Sequence, residues 1–357
     1  MNFQDPIRLP SGRRIGRGQP CFIVAELSGN HNGQLERALA LVRAAHAAGA
    51  DGVKLQTYTA DTLTIDSDQP WFRITGDNAW RGRTLYDLYQ EAATPWAWHE
   101  ALFAEARRLA MEVFSTPFDD TAVDFLEQLG APLHKIASFE LVDHELVRRV
   151  AATGKAIIMS TGMASEAEVQ EAVDVIRSTG NRQLVLLKCT SAYPSPLSEM
   201  NIRALPALAG RFGVPVGLSD HCLGERAAVA AVSLGACLLE KHLTLARADG
   251  GPDASFSLEP SEFRRLVEVV RETEAALGSG RLGAGPTEAP NVVFRRSIFA
   301  VADIPAGAVL TRANIRVIRP GHGLAPKHLP QVLGRRVTRA LARGTPLTWD
   351  ALENPPA

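Results

Sequence analysis

Eight short apolar runs recur along the first part of the chain, each bounded by Gly, Pro or polar residues. Several of them are continuously apolar rather than alternating, which is typical of strands buried on both faces of a sheet. The pattern predicts eight β-strands, at residues 21–28, 52–58, 112–117, 134–138, 156–162, 184–191, 215–221 and 237–243.

Stretches with helical periodicity separate the predicted strands, for example residues 35–50, 165–180 and 259–277. The second begins at Ser165, has Glu168 three residues later as in a capping box, and ends at Gly180. Eight strand–helix units predict an α/β fold of the (β/α)8 type, a TIM barrel. An open doubly wound sheet is the alternative, but no GxGxxG turn follows the first predicted strand.

The pattern changes after Leu277, where a Gly/Pro-rich stretch is followed by short apolar runs, tight turns and little helical periodicity. We therefore expect a barrel domain over residues 1–278, a linker over 279–292 and a compact β-rich domain over 293–357.

Composition and cysteine usage narrow the class of protein. The chain has 357 residues, of which 46% are hydrophobic and 22% charged, so it can bury a core and is neither disordered nor fibrous. No apolar run is long enough to span a membrane, and the N-terminus lacks the apolar stretch of a secretion signal. The four cysteines form no CxxC pair, which predicts buried, reduced thiols in a cytoplasmic protein.

The net charge of −1 is unevenly distributed. Residues 286–357 carry ten Lys/Arg and four Asp/Glu, whereas the rest of the chain carries 28 and 35. This asymmetry is either ordinary scatter or the mark of a basic domain that meets an acidic face or an anionic ligand. No aromatic and basic stripe accompanies the arginines, so we expect no nucleic-acid partner.

Lysine is rare in this sequence, with six among 38 basic residues, and four of the six lie at the ends of predicted strands. In a barrel, the carboxyl ends of the strands carry the chemistry. Ammonium groups near Ser and Thr hydroxyls there predict a cradle for a small phosphate compound. The alternative is that these lysines only neutralise neighbouring carboxylates. The four are Lys54, Lys135, Lys188 and Lys241.

His221 and His242 end two neighbouring predicted strands and could share one metal ion. With water or substrate in the remaining positions, this would be an open, catalytic site for Mn²⁺ or a similar ion. A closed structural zinc site is excluded because the four cysteines are scattered.

Three carboxylates and an aromatic cluster allow two interpretations each. Glu26 and Glu140 are either buried carboxylates neutralised by lysine or groups that transfer protons or bind sugar hydroxyls. Asp253, on a glycine-rich loop, is either a ligand or a turn residue. The Trp and Tyr residues within 71–98 are either a platform for a ligand or a core private to the loop that follows the second strand, and we interpret them as the latter.

Nine motifs, taken in order, resemble those of the sialic acid synthase family. The resemblance covers about residues 21–352, and its motifs are AELSGNHNG, DGVKLQTY, STPFD, KIASFE, STGM, KCTSAYP, GLSDH, EKHLTLARADGGPD and IRPGHG. It implies a phosphoenolpyruvate-binding barrel joined to a SAF domain, which is similar to type III antifreeze proteins. It also implies a transferase that condenses phosphoenolpyruvate with an N-acylated amino sugar, giving a nine-carbon 2-keto acid and phosphate.

The resemblance also implies roles for individual residues. Glu26, Lys54, Lys135, His221 and His242 would be catalytic, and the two histidines would bind the metal, usually Mn²⁺, with Mg²⁺ or Co²⁺ as alternatives. The phosphoenolpyruvate site would comprise Lys54, Thr116, Lys135, Ser138, Ser191 and Ser219. The amino-sugar site would comprise Gln56, Glu140, Tyr193, Asp253 and Arg319, with Arg319 reaching in from the partner subunit of a domain-swapped homodimer.

The insertion at residues 80–99 and the doubled glycine of DGGPD look most like the pseudaminic acid branch of the family. Its substrate is a 2,4-diacetamido-2,4,6-trideoxy-altrose, and the legionaminic and N-acetylneuraminic acid branches are the alternatives. Ser191 stands where sialic acid members carry Asn. Two other hypotheses are a phosphoenolpyruvate-dependent 3-deoxy aldose synthase and a carbohydrate-binding protein without catalysis. The density of titratable residues at the strand ends argues against the second.

Overall fold

A computed structural model of the chain describes residues 2–75 and 80–353. The chain divides into two compact units, Met1–Gly278 and Ser279–Ala357, and each is described by itself.

Eight parallel strands of the first unit close into a barrel, each strand pairing with its neighbours in chain order and the last with the first. This confirms the predicted (β/α)8 fold, and every predicted apolar run overlaps one barrel strand. A short antiparallel hairpin precedes the barrel and consists of β1 (Ile7–Arg8) and β2 (Arg14–Ile15). The barrel strands are β3 (Phe22–Glu26), β4 (Gly52–Thr57), β5 (Glu112–Pro117), β6 (Leu133–Ile136), β7 (Ala156–Ser160), β8 (Leu184–Cys189), β9 (Val216–Asp220) and β10 (Leu238–His242).

Helices connect successive strands of the barrel. In the helix Glu166–Ser178 the predicted capping box is present: the Ser165 hydroxyl accepts from the Glu168 backbone N–H, and the Glu168 carboxylate accepts from the Ser165 N–H. The helices of this unit are α1 (Leu35–Ala47), α2 (Ala60–Leu63), α3 (Leu85–Ala92), α4 (Trp96–Arg108), α5 (Asp120–Gln128), α6 (His144–Ala151), α7 (Glu166–Ser178), α8 (Ala204–Phe212), α9 (Arg226–Ser233) and α10 (Pro260–Leu277).

Alternate residues of each strand point into the barrel, because side chains change face at every residue of a strand. The lower interior is apolar and contains Phe22, Val24, Phe114 and their neighbours on the other strands. Ile7, Leu9 and Ile15 of the β1–β2 hairpin belong to the same buried cluster. The hairpin therefore closes the amino-terminal end of the barrel with apolar side chains, and polar side chains are left to the carboxyl end.

The second unit has its own small core. Strands β11 (Ser297–Ala300) and β12 (Ile315–Ile318) pair antiparallel, and α11 (Leu329–Val332) is a single short helix. Ile298, Leu310, Val337 and Leu347 are buried together in this unit. Most of the remaining residues are turns and isolated bridges, so the expectation of a compact unit with little helix is met over the described residues.

All four cysteines are buried and free of disulfides. Within residues 2–75 and 80–353, no helix is long and apolar enough to cross a membrane.

Candidate active site

A network of four charged side chains lies at the carboxyl end of the barrel. Glu26, Lys54, Lys135 and Glu240 come from four different strands and are all at least 96% buried. The Lys54 ammonium lies 2.5 Å from Glu26 Oε2 and 3.2 Å from Glu240 Oε1, and Lys135 Nζ lies 3.7 Å from Glu240 Oε2. The two lysines are therefore held side by side by one shared carboxylate, Glu240.

Hydroxyl groups surround these lysines. Lys135 Nζ donates to Ser160 Oγ at 2.8 Å, and Lys54 Nζ lies 3.4 Å from Thr116 Oγ1. Ser219 Oγ donates to Glu240 Oε1 at 3.0 Å. Each hydroxyl can turn its proton toward an incoming anion, so Lys54, Lys135 and these hydroxyls fit the predicted phosphate cradle. The other two lysines of that prediction do not take part: Lys188 Nζ donates to the Cys189 carbonyl oxygen, Lys241 pairs with Asp220, and neither lines the described cavities.

The pKa values of the two carboxylates are pushed in opposite directions. Burial and repulsion by Glu240 raise the pKa of Glu26 despite its contact with Lys54. Burial also acts on Glu240, but Lys135 and Lys54 outweigh it and lower its pKa to about 2. Glu240 is thus the permanent anion of the network, whereas Glu26 holds a proton more readily than an ordinary glutamate.

His221 and His242 lie together at the ends of neighbouring strands, with ring centroids 5.4 Å apart. His221 Nδ1 lies 3.0 Å from the Thr190 carbonyl oxygen, and His242 Nδ1 lies 3.2 Å from Ser28 Oγ. Burial, with repulsion from His221 and Lys54, lowers the pKa of His242 well below its usual value. With Nδ1 of each ring engaged, the Nε2 atoms are available to a ligand.

These residues fit an open metal site. Two imidazoles are suitable donors for Mn²⁺ and related ions. Among the described residues, no group of three His, Cys, Asp or Glu side chains could hold an ion alone. Water or substrate oxygens would have to supply the remaining ligands, as in catalytic rather than structural sites.

A cavity of about 500 Å³ opens above the charged network and brings most of the predicted site residues together. The predicted residues on its wall are Lys54, Gln56, Lys135, Ser138, Glu140, Tyr193, Ser219, His221, His242 and Asp253. A second, outer cavity of about 890 Å³ shares Trp80, Phe139, Tyr193 and Pro252 with the first.

Four predicted site residues lie elsewhere. Glu26 and Thr116 are buried beside Lys54 rather than on the cavity wall. Ser191 lines the outer cavity, with its Oγ 3.7 Å from Cys189 Sγ. Arg319 is exposed and follows β12 in the second unit.

Glu140 and Asp253 are cavity carboxyls with different surroundings. Burial raises the pKa of Glu140 to about 7, which poises it for proton transfer near neutral pH. Burial also raises the pKa of Asp253, although Ser28 and Gly29 donate hydrogen bonds to its carboxylate. Asp253 thus links the loop after β10 to the loop after β3, and it is more than a turn residue.

The insertion after β4 forms one wall of the inner cavity. Its lining residues are Leu63, Ile74, Trp80, Leu85, Leu88 and Tyr89. The Trp80 indole donates to the Pro252 carbonyl oxygen at 2.6 Å and packs on Tyr193, with ring centroids 5.3 Å apart. The interpretation of the aromatic cluster as a private core is therefore wrong for Trp80 and Tyr89. It also fails for Trp71, which is 82% exposed.

Sequence reasoning assigned no role to two residues that the structure places in the site. Glu240 joins both lysines, and Ser160 accepts from Lys135. Each lies two residues after an apolar side chain of the barrel interior, Leu238 or Ile158. That two-residue spacing is the signal that could have identified them as inward-facing.

The fold is a closed (β/α)8 barrel, a class whose enzymes carry their active sites at the carboxyl ends of the strands, and here that end holds paired lysines, hydroxyls and two histidines. Residues 41–282 match the NeuB family, and residues 295–353 match the SAF domain. The chain belongs to the NeuB family, whose members are synthases, so the predicted family, fold and transferase class are confirmed.

Several relatives are similar over nearly their whole length. The pseudaminic acid synthase of Helicobacter pylori is 42% identical, covering 94% of this chain and 98% of the relative. The N,N'-diacetyllegionaminic acid synthase of Legionella pneumophila is 38% identical, covering 95% and 96%. The solved structure of an N-acetylneuraminic acid synthetase from Leptospira borgpetersenii is 28% identical with a TM-score of 0.73, covering 82% and 96%.

Proposed function

We propose that the protein condenses phosphoenolpyruvate with 2,4-diacetamido-2,4,6-trideoxy-altrose, giving pseudaminic acid and inorganic phosphate. The observation that carries the proposal is the lysine–hydroxyl cradle beneath a larger cavity. The cradle offers a site for an anion, and the cavity offers an adjoining site for a sugar. The similarity to synthases that are named for pseudaminic acid, at 42% identity, supports the choice of product.

Phosphoenolpyruvate would bind deepest, with its phosphate and carboxylate on Lys54, Lys135 and the hydroxyls around them. Ser138 lines the same cavity, and its Oγ accepts from the Gly162 backbone N–H at 3.1 Å. A Cβ on Gly162 would lie 2.2 Å from Ser191 Oγ and 2.7 Å from Ser138 Oγ, so this close approach requires glycine. We assign Thr116, Ser138 and Ser219 to this site, and Ser191 to its outer margin.

His221 and His242 would hold a divalent metal ion, for which we propose Mn²⁺, with Mg²⁺ or Co²⁺ as alternatives. Bound there, the ion would act as a Lewis acid toward the aldehyde of the open-chain sugar. Charge supports a bound cation: the two lysines face Glu26, Glu240, Glu140 and Asp253. The protein alone therefore offers little net positive charge to a ligand with both a phosphate and a carboxylate.

The remaining chemistry follows from the side chains. The C3 carbon of phosphoenolpyruvate forms a bond to the aldehyde carbon, and the aldehyde oxygen takes up a proton. Water adds at C2 and loses one proton. The resulting C2 hydroxyl passes its remaining proton to the phosphate as the C2–O bond to phosphate breaks, which leaves the 2-keto group. We assign the protonation of the aldehyde oxygen and the first deprotonation of water to Glu140, which lines the cavity with a pKa of about 7 and ends the cycle unchanged. Glu26, buried beside Lys54, would instead stabilise the charged form of that lysine through their ion pair.

The sugar would occupy the wider part of the cavity, against Gln56, Tyr193 and Asp253. The opposite wall, built by the insertion, is apolar and suits a substrate with a C6 methyl group and acetamido methyl groups. A phosphorylated aldose would need further cations there, but this side of the cavity presents Glu140 and Asp253. The geometry therefore favours a neutral amino sugar over the substrate of a 3-deoxy aldose synthase.

We also propose a domain-swapped homodimer in which Arg319 of one subunit completes the sugar site of the other. Large apolar side chains support it. Phe139 is 59% exposed and Met163 is 63% exposed in the loops that follow β6 and β7, and Phe294 is 59% exposed near the start of the second unit. In the proposed dimer, the partner subunit would cover these apolar side chains.

The test is phosphate release from phosphoenolpyruvate, measured with Mn²⁺ and with each of three sugars: the altrose, the legionaminic-type sugar and N-acetylmannosamine. We expect selective turnover of the altrose, loss of turnover in EDTA, and recovery on adding Mn²⁺. Preference for either other sugar would contradict the product assignment. Unchanged turnover in EDTA would contradict the metal assignment, and release with none of the three would favour an aldose synthase.

A further inference from the structure

We propose that Asp220 and Lys241 are positioning residues that fix the spacing of His221 and His242. The inference rests on the metal site of the proposed function and extends it to two residues that do not line the cavity. The two form a buried ion pair, with Lys241 Nζ 2.7 Å from Asp220 Oδ2 and side chains 1% and 2% exposed.

The place of this pair follows from strand alternation. Asp220 and Lys241 are Cα partners in the register of β9 and β10. Ser219 and His221 flank Asp220, and Glu240 and His242 flank Lys241; all four line the cavity. Since neighbouring side chains of a strand point to opposite faces, the ion pair lies on the outer face of the barrel wall, directly behind the two histidines.

The pair also holds the chain just after His221. Lys241 Nζ donates a second hydrogen bond to the Cys222 carbonyl oxygen, and Asp220 Oδ1 accepts from the Cys222 backbone N–H at 2.8 Å. The backbone on both sides of His221 is therefore tied to the residue that precedes His242. The ring hydrogen bonds to Thr190 and Ser28 set how each imidazole is turned, and the ion pair sets how far apart the two backbones stand.

Burying this charge pair costs desolvation free energy, which a barrel wall packed with apolar side chains would not incur. Apolar side chains of similar size would stabilise the wall of a barrel equally well. A pair of charges with fixed hydrogen bonds instead allows one relative position of β9 and β10 at their carboxyl ends. Groups that orient metal ligands in this way commonly change metal affinity about 10- to 100-fold when they are removed.

The test compares Mn²⁺ affinity, from an electron paramagnetic resonance titration of the full-length protein, with the melting temperature without metal. The variants are Asp220→Asn and the double variant Asp220→Asn with Lys241→Met, which leaves no uncompensated buried charge. Asp51→Asn is the matched control, because Asp51 accepts from Arg271 Nη2 at 2.7 Å and from the Ile23 N–H at 2.9 Å at the opposite end of the barrel.

We expect the double variant to bind Mn²⁺ at least about tenfold more weakly than the wild type while it remains folded. Asp51→Asn should lower the melting temperature without changing Mn²⁺ affinity. A double variant with wild-type Mn²⁺ affinity would overturn the positioning role and leave the metal site intact. A wild-type protein that binds no Mn²⁺, or a His221→Ala variant that binds it normally, would overturn the metal site itself.

Discussion

Glu140 and Glu240 contribute to the same cavity, and their surroundings give them opposite roles. Glu240 lies against two ammonium groups and has a pKa of about 2, so it stays ionised throughout the physiological range. Glu140 has one buried oxygen without a hydrogen-bond partner, and burial raises its pKa to about 7. Contact with cations, rather than burial alone, therefore decides which carboxylate can exchange a proton at neutral pH.

The raised pKa of Glu140 predicts a pH-dependent stability. The folded protein binds this proton more tightly than the unfolded chain. The resulting contribution to the free energy of unfolding is complete below about pH 4.5 and is lost as pH rises through 7. Glu140→Gln should match the wild type at pH 4.5 and exceed its free energy of unfolding at pH 8 by at most about 3 kcal/mol. Urea denaturation at both pH values measures this, and equal stabilities at pH 8 would contradict the assigned environment.

At the scale of elements, the barrel strands could be predicted and their insertion could not. Runs such as residues 184–191 are continuously apolar because both faces are buried, and their polar ends mark the carboxyl end of the barrel. The strands at Ile7 and Ile15 have two residues each and are too short to show a periodic pattern of apolar residues. The closing hairpin was therefore not predicted. The insertion's contact with the cavity depends on long-range packing, as between Trp80 and Tyr193.

The site was predictable wherever a residue follows from strand position. Lys54 and Lys135 lie within strands that the apolar pattern marks, and the two histidines lie at the carboxyl ends of β9 and β10. The partnership of Glu240 with both lysines was not predictable, since sequence spacing does not show which strand ends face each other across a closed barrel. Ser191 shows the same limit, because the chain beyond β8 turns its side chain toward the outer cavity.

The apolar wall of the insertion predicts how the enzyme discriminates between sugars. Leu85→Asn should lower kcat/KM for the 6-deoxy sugar about tenfold relative to its 6-hydroxy analogue, since an amide there no longer favours a methyl over a hydroxyl. Leu208→Asn, at a half-buried leucine outside the described cavity linings, is the matched control and should leave the ratio unchanged. An unaltered ratio in Leu85→Asn would show that the wall does not contact C6.

At the scale of the whole molecule, the two units differ in charge and carry different parts of the proposed site. The barrel holds the lysines, histidines and carboxylates, and the second unit holds Arg319 on an exposed turn. Residues 286–357 are basic while the rest of the chain is acidic. Association of the basic second unit of one subunit with the acidic first unit of another would bring opposite net charges together, which supports the proposed dimer.

Mixing two inactive variants tests whether sites are completed between subunits. Lys54→Met should abolish turnover, and Arg319→Ala should lower it strongly without unfolding the protein. If Arg319 acts on the partner's barrel, mixed dimers contain one intact site, and co-refolding equal amounts should restore about a quarter of wild-type activity. Activity that stays at the level of the separate variants would contradict completion between subunits.

The hairpin at the amino-terminal end of the barrel also has a kinetic consequence. It fills the lower interior with Ile7, Leu9 and Ile15, so the lysine cradle is reached only through the wider cavity above it. A ligand in the cradle must then enter before the sugar covers it. With the substrates of the proposed function, binding would follow a compulsory order, phosphoenolpyruvate first and the sugar second, and phosphate would depart only after the nine-carbon product. Excess sugar should consequently act as a competitive inhibitor toward phosphoenolpyruvate.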